Sequence, residues 1–211
     1  MKKKEEGLLA SIVRRDPAAR NRLEVLLCYP GVHAVIAHRI NHLLYNMGLK
    51  VLARIGSQIM RILTGIEIHP GAVVGRRLLI DHGMGVVIGE TSIVGDDVTI
   101  YQGVTLGGTG KDQGKRHPTI GNDVMIASGA KILGPFKIGD HSKVGAGSVV
   151  LKEVPEHCTV VGVPGRIVKQ NYKKVDEDKL CDMDQVHLPN PVEREFESLR
   201  NRLKELEKMV G

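Results

Sequence analysis

The chain has 211 residues, enough for one large domain or for one domain with a small accessory region. Its 25 glycines, 2 phenylalanines, 4 tyrosines and lack of tryptophan, beside a hydrophobic content of 42%, exclude a core built on aromatic side chains and favour short strands and tight turns around a narrow aliphatic interior. The net charge of +6 is spread along the chain without interleaved aromatics, so no nucleic-acid surface is expected, and no apolar run is long enough to span a membrane.

Cys28, Cys158 and Cys181 are odd in number and lack CxxC spacing, which argues against a disulfide framework and a cysteine zinc site. No signal peptide precedes the first helix-like segment, so a cytoplasmic location is expected. Residues 1–64 read as an α-helical N-terminal region. Apolar residues recur at three- and four-residue spacing over 7–63 (Leu8, Ile12, then Val35, Ile36, Ile40, Leu43, Leu44), with a break at Tyr29-Pro30-Gly31. Such a block is expected to cap the open first coil of the repeating segment that begins near Ile68.

From Ile68 an aliphatic residue recurs every six positions: Ile68, Val74, Ile80, then Ile88, Val94, Ile100, Leu106, and after a gap Ile120, Ile126, Ile132, Ile138, Val144, Val150. Six of these are followed by glycine (75, 89, 95, 121, 139, 145), and the fourth place after them is usually small or β-branched. A period of six fits neither a helix nor an alternating strand. It fits a three-faced solenoid with the aliphatics stacked inward and the glycines at sharp corners. A β-sandwich with accidental spacing would not hold a six-residue step over thirteen aliphatics in so few unbroken stretches. The solenoid is expected over 65–170, with 156–170 crossing its last coil.

The rhythm breaks twice. Two extra residues enter around Asp81-His82-Gly83-Met84-Gly85, and eight more enter in an excursion loop over 107–119 that carries Gly107-Gly108-Thr109-Gly110-Lys111 and Arg116-His117-Pro118. Excursions from solenoid corners usually carry function. Residues 171–211 read as a polar linker and then a C-terminal helix. In that helix Val192, Phe196, Leu199, Leu203, Leu206 and Val210 form a heptad seam suited to assembly.

His82 is the candidate base, since imidazole titrates near neutrality. Glu67 stands fifteen positions earlier, against eighteen for a full coil, so stacking is expected to bring it close enough to orient the ring. Arg116 and His117 offer a cation and a donor for a substrate carboxylate. Gly107 and Gly108 expose backbone N–H groups to an oxyanion or a cofactor.

Three segments resemble the serine O-acetyltransferases of bacterial and plant cysteine synthesis, members of the hexapeptide-repeat acyltransferases. Asp81-His82-Gly83-Met84-Gly85-Val86-Val87-Ile88-Gly89-Glu90-Thr91 is similar to the family's DHxxGxVxGET signature, Val104 to Lys111 with Arg116-His117-Pro118 to its VTLGGTGK…RHP excursion, and Val161 to Val168 to its closing segment. Arg15-Asp16-Pro17-Ala18 also matches the family's RDPA. The resemblance implies a left-handed parallel β-helix and transfer of acetyl from acetyl-CoA, a co-substrate, to the hydroxyl of L-serine. It implies that His82 is the general base for direct attack and that Asp16, Asp81, Arg116 and His117 hold the amino acid. It further implies that Gly108, Thr109, Ala127 and Lys143 lie along a CoA groove, that no metal is needed, that L-cysteine inhibits by feedback, and that a homotrimer or a dimer of trimers shares each site between two subunits.

The sequence departs from that pattern in three places. Glu67 stands where the family commonly has Asp, the helical region is shorter than in long members, and the chain ends Met209-Val210-Gly211 rather than in Ile. A plain trimer therefore stands beside the dimer of trimers as an expectation, the O-acetylserine sulfhydrylase complex is in doubt, and the heptad helix is expected to replace the missing association surface. Two other enzymes compete. A hexapeptide acetyltransferase acting on a sugar or an antibiotic would leave Arg116 without a carboxylate, and a metal-dependent hydration enzyme would need His69, His82 and His117 around one ion. A purely structural solenoid would not explain chemistry at both breaks.

Overall fold

The N-terminal helices are α1 (Leu8–Arg15), α2 (Arg22–Cys28), α3 (Pro30–Asn46) and α4 (Lys50–Thr64). The computed structural model describes residues 6–110, 113–170, 200 and 202. Asn21 caps α2 by accepting from the Glu24 N–H, Pro30 opens α3, and Gly65 closes α4 in the left-handed conformation. The linker and the heptad positions lie outside the described residues, although Arg200 and Arg202 are helical. No described helix is long and apolar enough to cross a membrane.

Fifteen short strands follow among the described residues, numbered β1–β15 along the chain, and they form the faces of a parallel solenoid of about five turns. The first face stacks β1 (Glu67–Ile68), β4 (Val87–Ile88), β7 (Thr105–Gly107), β10 (Lys131–Leu133) and β13 (Val149–Val150). The second stacks β2 (Val73–Val74), β5 (Ile93–Val94), β8 (Thr119–Ile120) and β11 (Lys137–Ile138). The third stacks β3 (Leu79–Asp81), β6 (Thr99–Tyr101), β9 (Met125–Ile126), β12 (Lys143–Val144), β14 (Cys158–Val161) and β15 (Arg166–Gln170). All thirteen aliphatics of the six-residue rhythm are buried in one continuous core. They are in register between coils, as in Ile68 with Ile88 and Ile88 with Leu106.

One expectation is corrected, and two packing details go beyond the spacing. Residues 156–170 do not cross the last coil: β14 extends the third face in parallel with β12, and β15 returns antiparallel to it. The glycines after the core aliphatics are not left-handed; that conformation falls on Arg77, Asp97, Asp123 and His141 at one corner and on Gly85, Gly103, Gly129 and Gly147 at another. Those after the aliphatics are needed because neighbouring coils approach closely, so that a Cβ on Gly75 would lie 2.5 Å from the Gly95 carbonyl and one on Gly95 2.6 Å from that of Gly121. Finally, α3 does not bury its large apolar residues. Its inward face is Gly31, Val32, Ala34, Val35, His38 and Asn41, while Ile36, Ile40 and Leu43 are exposed. Close approach dictates this, since a Cβ on Gly31 would sit 2.2 Å from the Ile80 carbonyl oxygen.

The helical block lies over the first coil, with Ala34 and Val35 of α3 joining the solenoid core. Arg15 pins α1 to two coils. Its buried guanidinium donates to the carbonyls of Arg77 and Asp97 (2.8 Å to the latter) and to the Thr99 hydroxyl at 3.2 Å.

Candidate active site

The corner between the third face and the first repeats as Gly85, Gly103, Gly129 and Gly147. Each N–H there is bonded one coil back, from Gly85 to Gly65 and from Gly103 to Met84. Asp81 closes β3, and His82 falls in the two-residue insertion before Gly85. His82 is left-handed (φ +58), and its side chain stands 76% exposed. A non-glycine residue in that conformation costs about 1 kcal/mol. The imidazole therefore projects from the solenoid instead of packing into it.

Beside it, Asp16 ends α1 and is buried. It accepts from the Tyr29 hydroxyl at 2.5 Å and from the Ala18 N–H at 2.8 Å. Burial, helped by the negative charge of Asp16, pushes the Asp81 carboxyl above its usual range, while the nearby imidazole of His82 pulls it down. Desolvation and the bond to Asp16 raise the Tyr29 phenol far above its usual range, so it stays a donor. Two carboxylates near an exposed imidazole give this corner a negative charge suited to a cation such as an ammonium.

Glu67 does not stack against His82 within the chain. The two inserted residues lengthen the coil, so Glu67 is in register with Val87, twenty positions on. Its carboxylate pairs with Arg61 at 3.1 Å and Arg54 at 3.8 Å, both from α4. The carboxylate nearest His82 is that of Asp81, with Oδ1 at 3.9 Å from Nε2, beyond hydrogen-bond range.

A second cluster occupies the corner between the first face and the second. Arg116 donates to Glu90 Oε2, and the Tyr45 hydroxyl donates to Glu90 Oε1 at 2.9 Å. Thr91 Oγ1 accepts from the backbone N–H groups of Arg116 at 3.0 Å and His117 at 3.1 Å. The Thr91 N–H donates to His117 Nδ1 at 3.2 Å, so the proton of the neutral ring resides on Nε2. Burial and the neighbouring Arg116 lower the His117 pKa and keep the ring neutral. His69, whose Nδ1 accepts from the Gly71 N–H at 3.0 Å, lies edge-on to Tyr45 with centroids 5.8 Å apart.

The structure thus brings Asp16, Asp81 and His82 together at one corner and Arg116 and His117 at another, with the first face between them. A face of about five residues spans roughly 15 Å. The expected CoA-groove residues divide in the same way. Gly108 and the exposed Thr109 join the Arg116 corner, whereas half-buried Lys143 opens β12 on the third face. Ala127, at the His82 corner, is fully buried with its N–H bonded to Val144, and it presents no surface to a ligand within one chain. Sequence reasoning missed Tyr29 and Tyr45, which come from the helices and carry no motif spacing, and Glu90 and Thr91, which were visible only as part of the GET string. Among the described residues no group of three His, Cys, Asp or Glu is arranged to hold a metal ion.

The bacterial transferase hexapeptide family (six repeats) matches residues 117–152. A serine acetyltransferase from Bacillus subtilis (strain 168) is 57% identical over 196 residues, covering 93% of this chain and 88% of that protein. The chain belongs to the serine acetyltransferase family. Solved serine acetyltransferases share its architecture, which makes the solenoid a left-handed parallel β-helix. One in complex with cysteine superposes with a TM-score of 0.79 at 43% identity over 85% of this chain and 69% of that one. The Neisseria gonorrhoeae serine acetyltransferase in complex with serine gives 0.73 at 48% over 75% and 65%. A serine acetyltransferase in complex with CoA gives 0.73 at 44% over 76% and 66%.

Proposed function

We propose that this acyltransferase moves an acetyl group from acetyl-CoA to the hydroxyl of L-serine, giving O-acetyl-L-serine and CoA, with His82 as the general base. The observation that carries the reading is the exposed imidazole of His82, projected from an insertion beside Asp16 and Asp81. In this mechanism His82 takes the hydroxyl proton as the serine oxygen attacks the thioester carbon. The carbonyl π electrons move to oxygen, and they re-form the carbonyl as the C–S bond breaks. The imidazolium then returns its proton to the CoA sulfur.

Asp16 and Asp81 receive the serine ammonium, and Arg116 and His117 receive its carboxylate. Gly108, Thr109 and Lys143 line the CoA groove, and Ala127 shapes it from behind. L-Cysteine shares serine's ammonium and carboxylate and therefore competes for the same groups. A metal ion has no step to perform. Because the ammonium and carboxylate groups stand on different corners, one copy's His82 corner must face another copy's Arg116 corner. A homotrimer, or a dimer of trimers, supplies that arrangement.

Two carboxylates are available to orient His82: Asp81, which is nearer in this conformation, and Glu67, which would have to leave Arg54 and Arg61. Turnover of acetyl-CoA with L-serine is expected to fall about 10²–10⁴-fold in His82→Ala, with CoA binding by calorimetry unchanged. A fully active variant refutes the base role. Separate Glu67→Gln and Asp81→Asn variants decide which carboxylate raises the pH dependence of kcat, and activity on sugars but not serine would refute the acceptor.

A further inference from the structure

The excursion loop hands Arg116 to the site, but the loop's own grip on that side chain is weak. Arg116 Nη1 reaches the Gln113 and Gly114 carbonyls at 3.3 and 3.4 Å, and both belong to the same loop and move with it. The contact tying the guanidinium to the body of the protein is Glu90, on the corner after β4. Glu90 is a flexible side chain with two oxygens. One holds Arg116, and the other is held by the Tyr45 hydroxyl from the last turn of α3, at 2.9 Å. Tyr45 is itself fixed, lying edge-on to His69 and with the Lys50 ammonium 5.5 Å from its ring centroid.

We infer that Tyr45 is a positioning residue for acceptor recognition: by anchoring Glu90 it sets the direction in which Arg116 presents its guanidinium to the acceptor's carboxylate. A planar guanidinium recognises a carboxylate only when its fork is aimed, so a two-point hold on Glu90 is worth more than the ion pair alone. The pKa directions agree. The bond from Arg116 holds the Glu90 carboxyl below its usual range, and the bond to Glu90 raises the Tyr45 phenol, so both keep the protonation states the relay needs. The helical region, which carries no family motif beyond Arg15-Asp16-Pro17-Ala18, thereby reaches into the acceptor site. This inference rests on the reading of Arg116 as the carboxylate-binding group.

The test compares Tyr45→Phe, Glu90→Gln and Arg116→Ala in steady-state kinetics, with L-serine and with L-serinamide as acceptors. Melting temperatures are recorded beside them. Tyr45→Phe is expected to raise the KM for L-serine about five- to tenfold, the scale of one ordinary hydrogen bond and less than that of a direct bond to a charged group because Tyr45 acts through Glu90, while kcat, the KM for acetyl-CoA and the melting temperature stay put. With L-serinamide, which has no carboxylate, Tyr45→Phe is expected to match the wild type. A KM rise for both acceptors, or for acetyl-CoA as well, would mean a merely structural role and overturn the inference. So would a lower serine KM in Glu90→Gln, which would mean that Glu90 competes with the acceptor for Arg116. If Arg116→Ala raises the serine KM and Tyr45→Phe does not, the positioning role alone falls. If Arg116→Ala leaves it unchanged, the carboxylate reading falls.

Discussion

Gly89 illustrates how much of the site is set by the absence of a side chain. A Cβ there would lie 2.0 Å from His117 Cδ2 and 2.2 Å from Nε2, so the imidazole packs directly against the glycine. The φ of Gly89 is one that any residue can adopt, so an alanine is tolerated by the backbone and the ring must move instead. Gly89→Ala is therefore expected to fold, with stability lowered by about 1 kcal/mol for the weakened Thr91 bond. Its catalytic efficiency with L-serine is expected to fall about tenfold. Thermal melting beside serine and acetyl-CoA titrations checks this, and an unchanged serine response would remove His117 from acceptor binding. The glycine after six of the core aliphatics was legible as a spacing, but its reason was not. A one-dimensional pattern does not tell a turn that needs positive φ from a coil that needs room for its neighbour.

At the scale of elements, the β-helix was readable because each coil obeys one local rule and neighbouring coils obey the same one. The helices were harder, because their apolar residues serve two surfaces. On α3 the small residues Gly31 and Ala34 and the polar His38 and Asn41 face the solenoid. Periodicity of large apolar residues therefore pointed to the outer face. Glu67 lies in register with Val87 for a related reason: counting residues per coil ignores where an insertion falls.

His38 gives the helical cap a pH dependence of its own. It is buried on α3, and that burial, with the positive charges of His42, Arg39 and His69 adding to it, pushes its pKa down to about 4. In the unfolded chain the imidazole titrates near 6.5. Between those values the unfolded state binds the extra proton, so stability is fully present above about pH 6.5 and is lost as the pH falls toward 4, by about 3 kcal/mol in all. Denaturant unfolding at fixed protein concentration, followed from about pH 7.5 to 4.5, is expected to show that slope in the wild type and a flattened one in His38→Asn. An equal slope in both would assign the acid sensitivity elsewhere.

The whole molecule poses the question that a single chain leaves open. The exposed residues Val51, Ile55, Ile59 and Ile62 line one face of α4 at helical spacing, and Ile62 is 82% exposed. A contiguous apolar face of this kind on a free monomer is unusual, and burial against another copy is the role that fits the proposed trimer. The division of the proposed site between two corners makes the same demand from chemistry, and the two arguments are independent. If each site takes its base corner from one copy and its carboxylate corner from the next, His82→Ala and Arg116→Ala chains are each far below wild type alone at low L-serine but complement when mixed. Co-refolding equal amounts places one intact corner of each kind at an interface in about a quarter of cases, so activity is expected to recover to about one quarter of wild type in a closed ring of copies. The recovered fraction should follow the mixing ratio and vanish when the chains are mixed as folded oligomers that do not exchange. Sites completed within a single chain would give no recovery at any ratio, because every chain would carry one of the two lesions.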